Sequence, residues 1–271
     1  MLLRVGLGVV AALVAGVVVV MLLVRSKLAT PLDVQSKLTG GEGDVERGRV
    51  LASSTLICTE CHKPDFAGGV MIDDLPMGTI VATNLTGRKS SLAEWDLAVR
   101  HGVRADKTPL VLMPSSAYTV LSAGDMRDLA AFLNSLPLVD RALPRPSLGP
   151  VASALVLAGK FHVFAWHIDH QAMDDGAVEG AALARGPYLI KVSGCRACHG
   201  EDLAGAPTPP GNPPAPSITA AALSTWNEEA FNRAMREGRG IDGHALQFMP
   251  WRAYAGLPAE DLHEMWVTLS K

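Results

Sequence analysis

The sequence Cys-x-x-Cys-His occurs twice in this chain, and no other feature constrains its fold as strongly. The two copies are Cys58, Cys61 and His62 and, further along, Cys195, Cys198 and His199. All four cysteines of the 271-residue chain belong to these copies. Two thiols and an imidazole this close together can bind zinc, form a redox disulfide or attach a haem. Because the spacing is the same in both copies, one chemistry should apply to both.

The two motifs belong to a longer internal repeat with an offset of about 137 residues. An Arg-Gly pair precedes each motif, "VRHGVRAD" (99–106) aligns with "MREGRGID" (235–242), and a Met-Pro-x-x-x-Tyr segment follows in each half. Such collinear similarity indicates one domain used twice. It predicts a first domain at 43–140 and a second at 174–271, joined by a helical connector at 141–173.

Composition and periodicity predict a globular, all-α protein with two tandem domains. The chain is 48% hydrophobic, and its formal charge of −3 without a basic patch argues against nucleic acid as a partner. No convincing alternation of apolar residues indicates a strand. Helical patterns and capping signals are found at Asp44–Ser54, Ser91–His101, Ser122–Leu136, Gly180–Val192 and Pro258–Leu269, and in the connector at 151–167.

Among the three chemistries, haem attachment agrees best with the sequence. Zinc needs four ligands, typically with a second cysteine pair some 15–20 residues away, whereas these pairs lie more than a hundred residues apart. A thioredoxin-like pair is expected near a βαβ pattern, and it leaves the histidine without a role. Cys-x-x-Cys-His is the c-type haem attachment motif. The sequence therefore predicts two covalently bound haem c groups, with His62 and His199 as iron ligands.

A second axial ligand is expected on the far side of each iron, and methionine gives a six-coordinate iron of raised potential. Met113 follows Cys58 by 55 residues, and Met249 follows Cys195 by 54. Both precede a proline, which favours extended backbone at the methionine. We therefore assign Met113 and Met249 as the distal ligands. Three other methionines remain as rivals, although none has a suitably placed equivalent in the other half: Met71, Met77 and Met235.

Several polar residues could have either a functional or a purely structural role. The aligned Arg100 and Arg236 can meet haem propionates or end helices in solvent, and Tyr118 and Tyr254 are expected to pack beside the methionine loops and to hydrogen-bond locally. His101 has no histidine counterpart in the repeat. The connector histidines, which suggest either a third metal or quinone site or a partly exposed helix, are His162, His167 and His170.

The N-terminal segment, residues 1–30, predicts a membrane anchor. From Val5 to Val24 no residue is charged, and twenty helical residues cover the roughly 30 Å hydrocarbon core. The following "RSKLATPLD" lacks the small-x-small cleavage site of a signal peptide. An uncleaved single-pass helix is therefore favoured over a cleaved signal.

With these residues in place, the chain resembles membrane-anchored dihaem c-type cytochromes. It also resembles the cytochrome c subunits of periplasmic alcohol and sugar-acid dehydrogenases. The resemblance covers residues 43–271 and includes Thr83-Asn84-Leu85-Thr86, "EWDLAVRHGV" (94–103), and the Arg-Gly and Met-Pro segments. It implies an all-helical cytochrome c fold for each domain. The implied haem and iron ligands are Cys58, Cys61, Cys195 and Cys198, with His62, His199, Met113 and Met249.

Two function classes follow. The first is an electron-transfer protein, not itself an enzyme, held at the bacterial inner membrane with its haem domains in the periplasm. It would act as a tethered carrier or as a subunit of a respiratory, photosynthetic or dehydrogenase complex, with redox proteins as partners. The second is a catalytic dihaem enzyme of the peroxidase or thiosulfate dehydrogenase type. Such catalysis needs an open iron position or a distal cysteine, so two equivalent methionines and no spare cysteine favour the first class.

Overall fold

The computed structural model describes residues 2–173, 183–208 and 212–271. This part of the chain is mostly helical, as the sequence predicts. Its α-helices are α1 (Leu2–Leu28), α2 (Val45–Val50), α3 (Thr59–His62), α4 (Leu92–Val99), α5 (Ser115–Tyr118), α6 (Ala123–Ser135), α7 (Pro150–Leu157), α8 (Arg185–Val192), α9 (Cys195–His199), α10 (Glu228–Glu237), α11 (Trp251–Tyr254) and α12 (Ala259–Leu269). The predicted helix 180–192 is seen from Arg185 onward, and 180–182 lie outside the described residues.

Side-chain caps explain where several helices begin. Ser91 accepts a hydrogen bond from the Glu94 amide, and the Glu94 carboxylate accepts one from the Ser91 amide, which completes a capping box at α4. Asp44 accepts from the amides at the start of α2, and Ser122 accepts from the Asp125 amide at α6. These helix starts were predicted within one residue.

The all-α expectation is wrong for one small sheet. Strands β1 (Gly69–Asp74), β2 (Gly78–Ala82) and β3 (Ser147–Leu148) pair antiparallel in that order. The turn between β1 and β2 is closed by Asp74, whose carboxylate accepts from the Met77 amide at 2.7 Å. Most β1 side chains face solvent on either side of the strand, so its sequence lacks the period-two pattern by which strands are recognised.

Helix α1 is long and apolar enough to cross a membrane over Arg4–Leu28. Most of its side chains are exposed, but one face of its last two turns is covered: Val20, Met21, Val24 and Leu28. This face packs against α7, where Val24 joins Val156 and Val163 in a small core.

The α-helix of the connector is shorter than predicted. The expected helix over 151–167 ends at Leu157, because the chain turns at Gly159, whose φ is +67°. Helical structure returns as a 3-10 turn at Phe164–His167. The connector therefore folds back toward α1 instead of continuing away from it, which brings Val163 into the same core as Val24.

The sequence repeat is also a structural repeat. Helices α2 to α6 form repeat 1, and α8 to α12 form repeat 2, in the same order relative to the motifs. Repeat 1 has one residue more between its Arg-Gly pair and its first cysteine. That residue lies in a π-helical segment, Leu51–Thr55, where repeat 2 has regular α-helix. A π segment is the usual consequence of inserting one residue into an α-helix.

The two repeats share one hydrophobic core. Its members come from both, including Leu56 and Leu129 of repeat 1 and Leu189 and Leu262 of repeat 2. The contacts are reciprocal, because α5 of repeat 1 packs on α8, while α11 of repeat 2 packs on the π segment. The segments that lead into the two cysteine motifs, the π segment and α8, therefore both lie at the contact between the repeats.

Candidate functional site

The first motif lies on a single helical turn. Cys58 precedes α3 and Cys61 follows three residues later, so both thiols project from the same side of the turn. His62 ends this helix, and its Nδ1 atom lies 2.7 Å from the carbonyl oxygen of Thr83. An imidazole that donates from Nδ1 keeps the lone pair of Nε2 for a metal.

The second motif repeats this arrangement. Cys195 and Cys198 lie one turn apart on α9, which begins after Gly194 in a left-handed conformation. The Nδ1 atom of His199 lies 2.7 Å from the carbonyl oxygen of Pro216. Both histidines are therefore oriented by a backbone carbonyl at the same distance.

The loops that supply these carbonyls have the same hydrogen-bond pattern. The Gly68 amide donates to the His62 carbonyl at 2.9 Å, and the Gly205 amide donates to the His199 carbonyl at 2.8 Å. The carbonyl acceptors were not found from the sequence, because a backbone oxygen has no residue-type signature. Thr83 lies in the "TNLT" segment that carries part of the resemblance, which was the available signal.

Met113 and Met249 occupy equivalent, half-buried positions. Each packs against the shared core, as do Cys58 and Cys195. After each methionine the proline has nearly the same backbone, with φ and ψ of −80° and 50° in repeat 1 and −78° and 51° in repeat 2.

The rival methionines occupy other environments. Met71 is exposed on β1, and Met77 lies at the turn after it. Met235 is buried within α10, among the residues of the shared core. These three methionines share no structural equivalence, in contrast to Met113 and Met249.

The two tyrosines of the methionine loops bond over a long range instead of locally. The buried Tyr118 hydroxyl donates to the Leu56 carbonyl at 2.8 Å, and Tyr254 donates to the Ser193 carbonyl at 2.7 Å. Each acceptor lies two residues before the first cysteine of its motif. The tyrosines thus tie the methionine loop to the segment that leads into the motif. Burial raises the pKa of both phenols, so both remain neutral donors.

Neither aligned arginine ends a helix in solvent. Arg100 is 1% exposed, with Nη1 3.4 Å from Oδ1 of the equally buried Asp96. Within the described residues, its Nε and Nη1 atoms have no hydrogen-bond partner. Arg236 instead donates to the carbonyls of Ala255 and Leu257, at 2.8 and 3.0 Å, beyond the second methionine loop.

One connector histidine contacts repeat 1. The Nδ1 atoms of His170 and the buried His101 lie 3.0 Å apart, and His170 Nε2 donates to the Ala165 carbonyl at 2.9 Å. Burial lowers the pKa of His170. The other two connector histidines, His162 and His167, are exposed.

The thiols are poorly suited to redox catalysis as free cysteines. All four are unpaired, and desolvation raises the pKa of Cys58 and of Cys195 to about 12. A reactive thiol needs a lowered pKa, because the thiolate is the nucleophile. Within the described residues no three His, Cys, Asp or Glu side chains are grouped to hold a metal ion by themselves. A group that is linked to the cysteines by thioether bonds and brings its own metal needs neither a thiol of lowered pKa nor a cluster of metal-binding side chains.

Comparison with known proteins supports the resemblance seen in the motifs. No protein family model matches the chain. It is 29% identical over 255 residues to the fructose dehydrogenase cytochrome subunit of Gluconobacter japonicus, covering 76% of this chain and 49% of that protein. It is 36% identical over 169 residues to the gluconate 2-dehydrogenase cytochrome c subunit of Pantoea cypripedii, covering 57% and 37%.

A third relative matches the chain at closer to its own size. This is a diheme cytochrome c-type protein of Cereibacter sphaeroides, 28% identical over 229 residues that cover 74% of this chain and 75% of the relative. The chain spans about half or less of the length of the two dehydrogenase subunits above. Its similarity to cytochrome c subunits of dehydrogenases is thereby confirmed.

Proposed function

We propose that the chain is a membrane-anchored dihaem c-type cytochrome that transfers electrons on the periplasmic side of a bacterial inner membrane. Residues 43–140 and 174–271 would each form a cytochrome c domain. The observation that carries this proposal is the repeated orientation of His62 and His199, each held by a carbonyl at 2.7 Å beside two cysteines one turn apart. The electron-transfer function agrees with the cytochrome relatives.

The residues of each motif fit a covalent haem. Cys58 and Cys61 in one motif, and Cys195 and Cys198 in the other, would hold the haem by thioether bonds. Each haem would supply an iron that accepts and donates single electrons. His62 and His199 would bind iron through Nε2, while the Nδ1 hydrogen bond fixes the ring and strengthens the nitrogen as a ligand.

Met113 and Met249 would provide the distal ligands. A thioether is a weak donor that favours ferrous iron, so histidine–methionine ligation raises the potential. Tyr118 and Tyr254 would hold the two methionine loops by their hydrogen bonds toward the motifs. With both iron positions filled, little rearrangement is needed when an electron arrives or leaves. That property favours a carrier over a dihaem peroxidase or thiosulfate dehydrogenase.

Helix α1 would be an uncleaved anchor. A secretory signal peptide is removed from the mature protein. Val24 is 1% exposed and packs with Val156 and Val163, so removing α1 would uncover part of the connector core. The haem domains would then face the periplasm, where thiols of this kind receive haem. A membrane oxidoreductase complex of the dehydrogenase type is the partner class that its relatives suggest.

Haem stoichiometry tests this proposal. The purified protein is expected to carry two haems per chain that stay attached on a denaturing gel. Changing both cysteines of one motif, Cys58→Ala with Cys61→Ala, should leave one haem, and the matched pair Cys195→Ala with Cys198→Ala should do the same. The measurement is haem per polypeptide by pyridine haemochrome absorbance, with haem staining of the gel. Haem content unchanged by both pairs, or a metal other than iron, would contradict the proposal.

A further inference from the structure

We propose that α7 is a second membrane-contacting element, lying at the lipid–water boundary of the outer leaflet beside the anchor. It would position repeat 1 against the bilayer, so that the protein is more than a domain on a flexible tether. The proposal rests on the proposed membrane insertion of α1, and it concerns a segment whose exposed surface has no assigned partner.

The depth of α7 follows from its contact with α1. The covered face of α1 runs from Val20 to Leu28, and Val24 on that face meets Val156 of α7. Val24 is also the last residue of the uncharged run that would span the hydrocarbon. At 1.5 Å per residue, residues 20–28 cover about 12 Å along α1, which reaches from within the hydrocarbon edge to the headgroups. A helix packed along this stretch must lie at the same depth.

The exposed side of α7 has the chemistry of a lipid-facing surface. The helix contains no charged residue, and its single polar side chain, Ser153, is turned inward and 1% exposed. Val151 and Leu157 are 46% and 47% exposed. The first charged residue after α7 is Lys160, which lies beyond the turn at Gly159 and is exposed. A short apolar helix that is followed by a lysine can bury its face in lipid while the ammonium group stays in the headgroup layer.

Aromatic and basic residues mark the same boundary on α1. The Lys27 ammonium lies 4.2 Å from the centre of the Trp166 ring, which packs against the core of α1 and α7. Tryptophan is enriched at the membrane–water interface, and a lysine at the end of a membrane helix can extend its ammonium group into the headgroup layer. Their contact at the end of α1 would place this part of the connector at the headgroup layer.

The β1–β2 turn adjoins this surface. The Pro76 carbonyl accepts a hydrogen bond from the Val151 amide at 2.9 Å, so the turn rests on the start of α7. Leu75, beside it, is 87% exposed. Exposed apolar side chains are therefore present on three adjoining segments, namely the turn, α7 and α1. The bilayer that would receive α1 is the occupant that can cover all three.

The attachment to repeat 1 is short and hydrogen-bonded. Strand β3 ends at Leu148 and α7 begins at Pro150, so the sheet and the helix are separated by Gly149 alone. The Gly149 amide donates to the Met77 carbonyl at 2.9 Å. Fixing α7 at the membrane would therefore fix the sheet beside repeat 1, and repeat 2 packs on repeat 1 through the shared core.

Spin labelling of the full chain in phospholipid vesicles tests this inference. A nitroxide is attached at Leu157→Cys, with Leu13→Cys in the span as the lipid control and Leu138→Cys, 73% exposed in repeat 1, as the water control. Collisions with oxygen, which concentrates in lipid, are compared with collisions with a water-soluble nickel chelate, each measured as a difference from the same sample under nitrogen so that relaxation caused by the haems cancels. The label at 157 is expected to resemble the label at 13, with oxygen collisions dominant.

Two results would overturn the inference. If the label at 157 collides with the nickel chelate as readily as the label at 138, α7 faces water. If it is shielded from both reagents, another protein surface or a second copy of the chain covers α7. The unsubstituted chain separates this question from the proposed function, because nitroxide uptake there would reveal native cysteines that carry no haem, whatever the environment of α7.

Discussion

Backbone carbonyls orient the two motif histidines, which would affect how strongly each histidine binds the proposed iron. A carbonyl accepts a hydrogen bond but carries no net charge, so it fixes the imidazole and would add no negative charge near a bound iron. Because the carbonyl oxygens of Thr83 and Pro216 both lie 2.7 Å from Nδ1, the two proposed iron ligands would receive the same hydrogen bond. Differences between the two potentials are then expected to come from exposure and from the distal loops.

The distal ligands give the first residue-scale prediction. Met113→His or Met249→His should each lower the potential of one haem, because imidazole stabilises ferric iron more than a thioether does. The change is expected to be on the order of a few tenths of a volt, within the roughly 0.8 V range that axial ligands cover. Redox titration measures it, and the near-infrared band of iron–methionine ligation should fall by about half. Met235→Leu is the control, and loss of the band in that variant would contradict the assignment.

A second residue-scale prediction concerns His170. Its pKa is lowered by burial, so the unfolded chain binds a proton more readily than the native protein does. Its neutral form therefore contributes stability above the ordinary histidine pKa of about 6.5, and this contribution is lost as pH falls below that value. His170→Gln should reduce the loss of stability between about pH 7 and pH 5, measured by urea unfolding in detergent. His167→Gln, at an exposed histidine of the same connector, is the control, and an equal effect there would refute the role of His170.

At the scale of elements, the interface between the repeats depends on close approach at a glycine. A Cβ atom at Gly256 would lie 2.4 Å from Oγ of Ser54, which belongs to the π segment of the other repeat. The extra residue of repeat 1 thus lies in the segment that meets the second methionine loop. An insertion at this point changes which side chains the segment presents to its neighbour.

This contact predicts that a substitution at Ser54 compensates for a substitution at Gly256. Gly256→Ala should destabilise the protein by about 1–3 kcal/mol through overpacking. Adding Ser54→Ala removes the opposing oxygen and leaves the Ser54 Cβ position 3.5 Å away, so the double variant should recover most of the loss. Gly124→Ala is the matched control, because its nearest atom is 3.7 Å away and alanine should favour α6 by about 0.5–1 kcal/mol. Additive losses without recovery, measured by urea unfolding, would show that these residues do not meet.

The sequence predicted some elements and not others for identifiable reasons. Helices with side-chain caps, such as α4 after Ser91, were placed closely because a cap is a local signal. The equivalence of the two motifs, and of Met113 and Met249, was found from the spacing and alignment of the repeats. Strand β3 and the fold of the connector were missed because they depend on distant partners, namely β2 and Val24. The His101–His170 contact was missed for the same reason, since the two rings are 69 residues apart in the chain.

For the whole molecule, the shared core decides how the repeats unfold. Tyr188 of repeat 2 donates its hydroxyl to Asp125 of repeat 1, which also pairs with Arg47 at 3.1 Å. Tyr188 and Asp125 are buried, and the shared core continues on either side of their contact. Separating the repeats would expose this core and leave Asp125 without one of its donors. Repeat 1 therefore derives part of its stability from repeat 2.

This coupling predicts a single unfolding transition that either of the two proposed haems would report. Cys195→Ala with Cys198→Ala would remove the second haem and leave the first as the only Soret reporter. Because losing a covalent haem weakens repeat 2, the shared core should lower the urea midpoint at the remaining haem of repeat 1 as well. The converse pair, Cys58→Ala with Cys61→Ala, is the matched control and should lower the midpoint at the second haem. Independent repeats would instead leave each remaining haem with the midpoint it has in the unaltered protein, and the unaltered protein would then unfold in two steps.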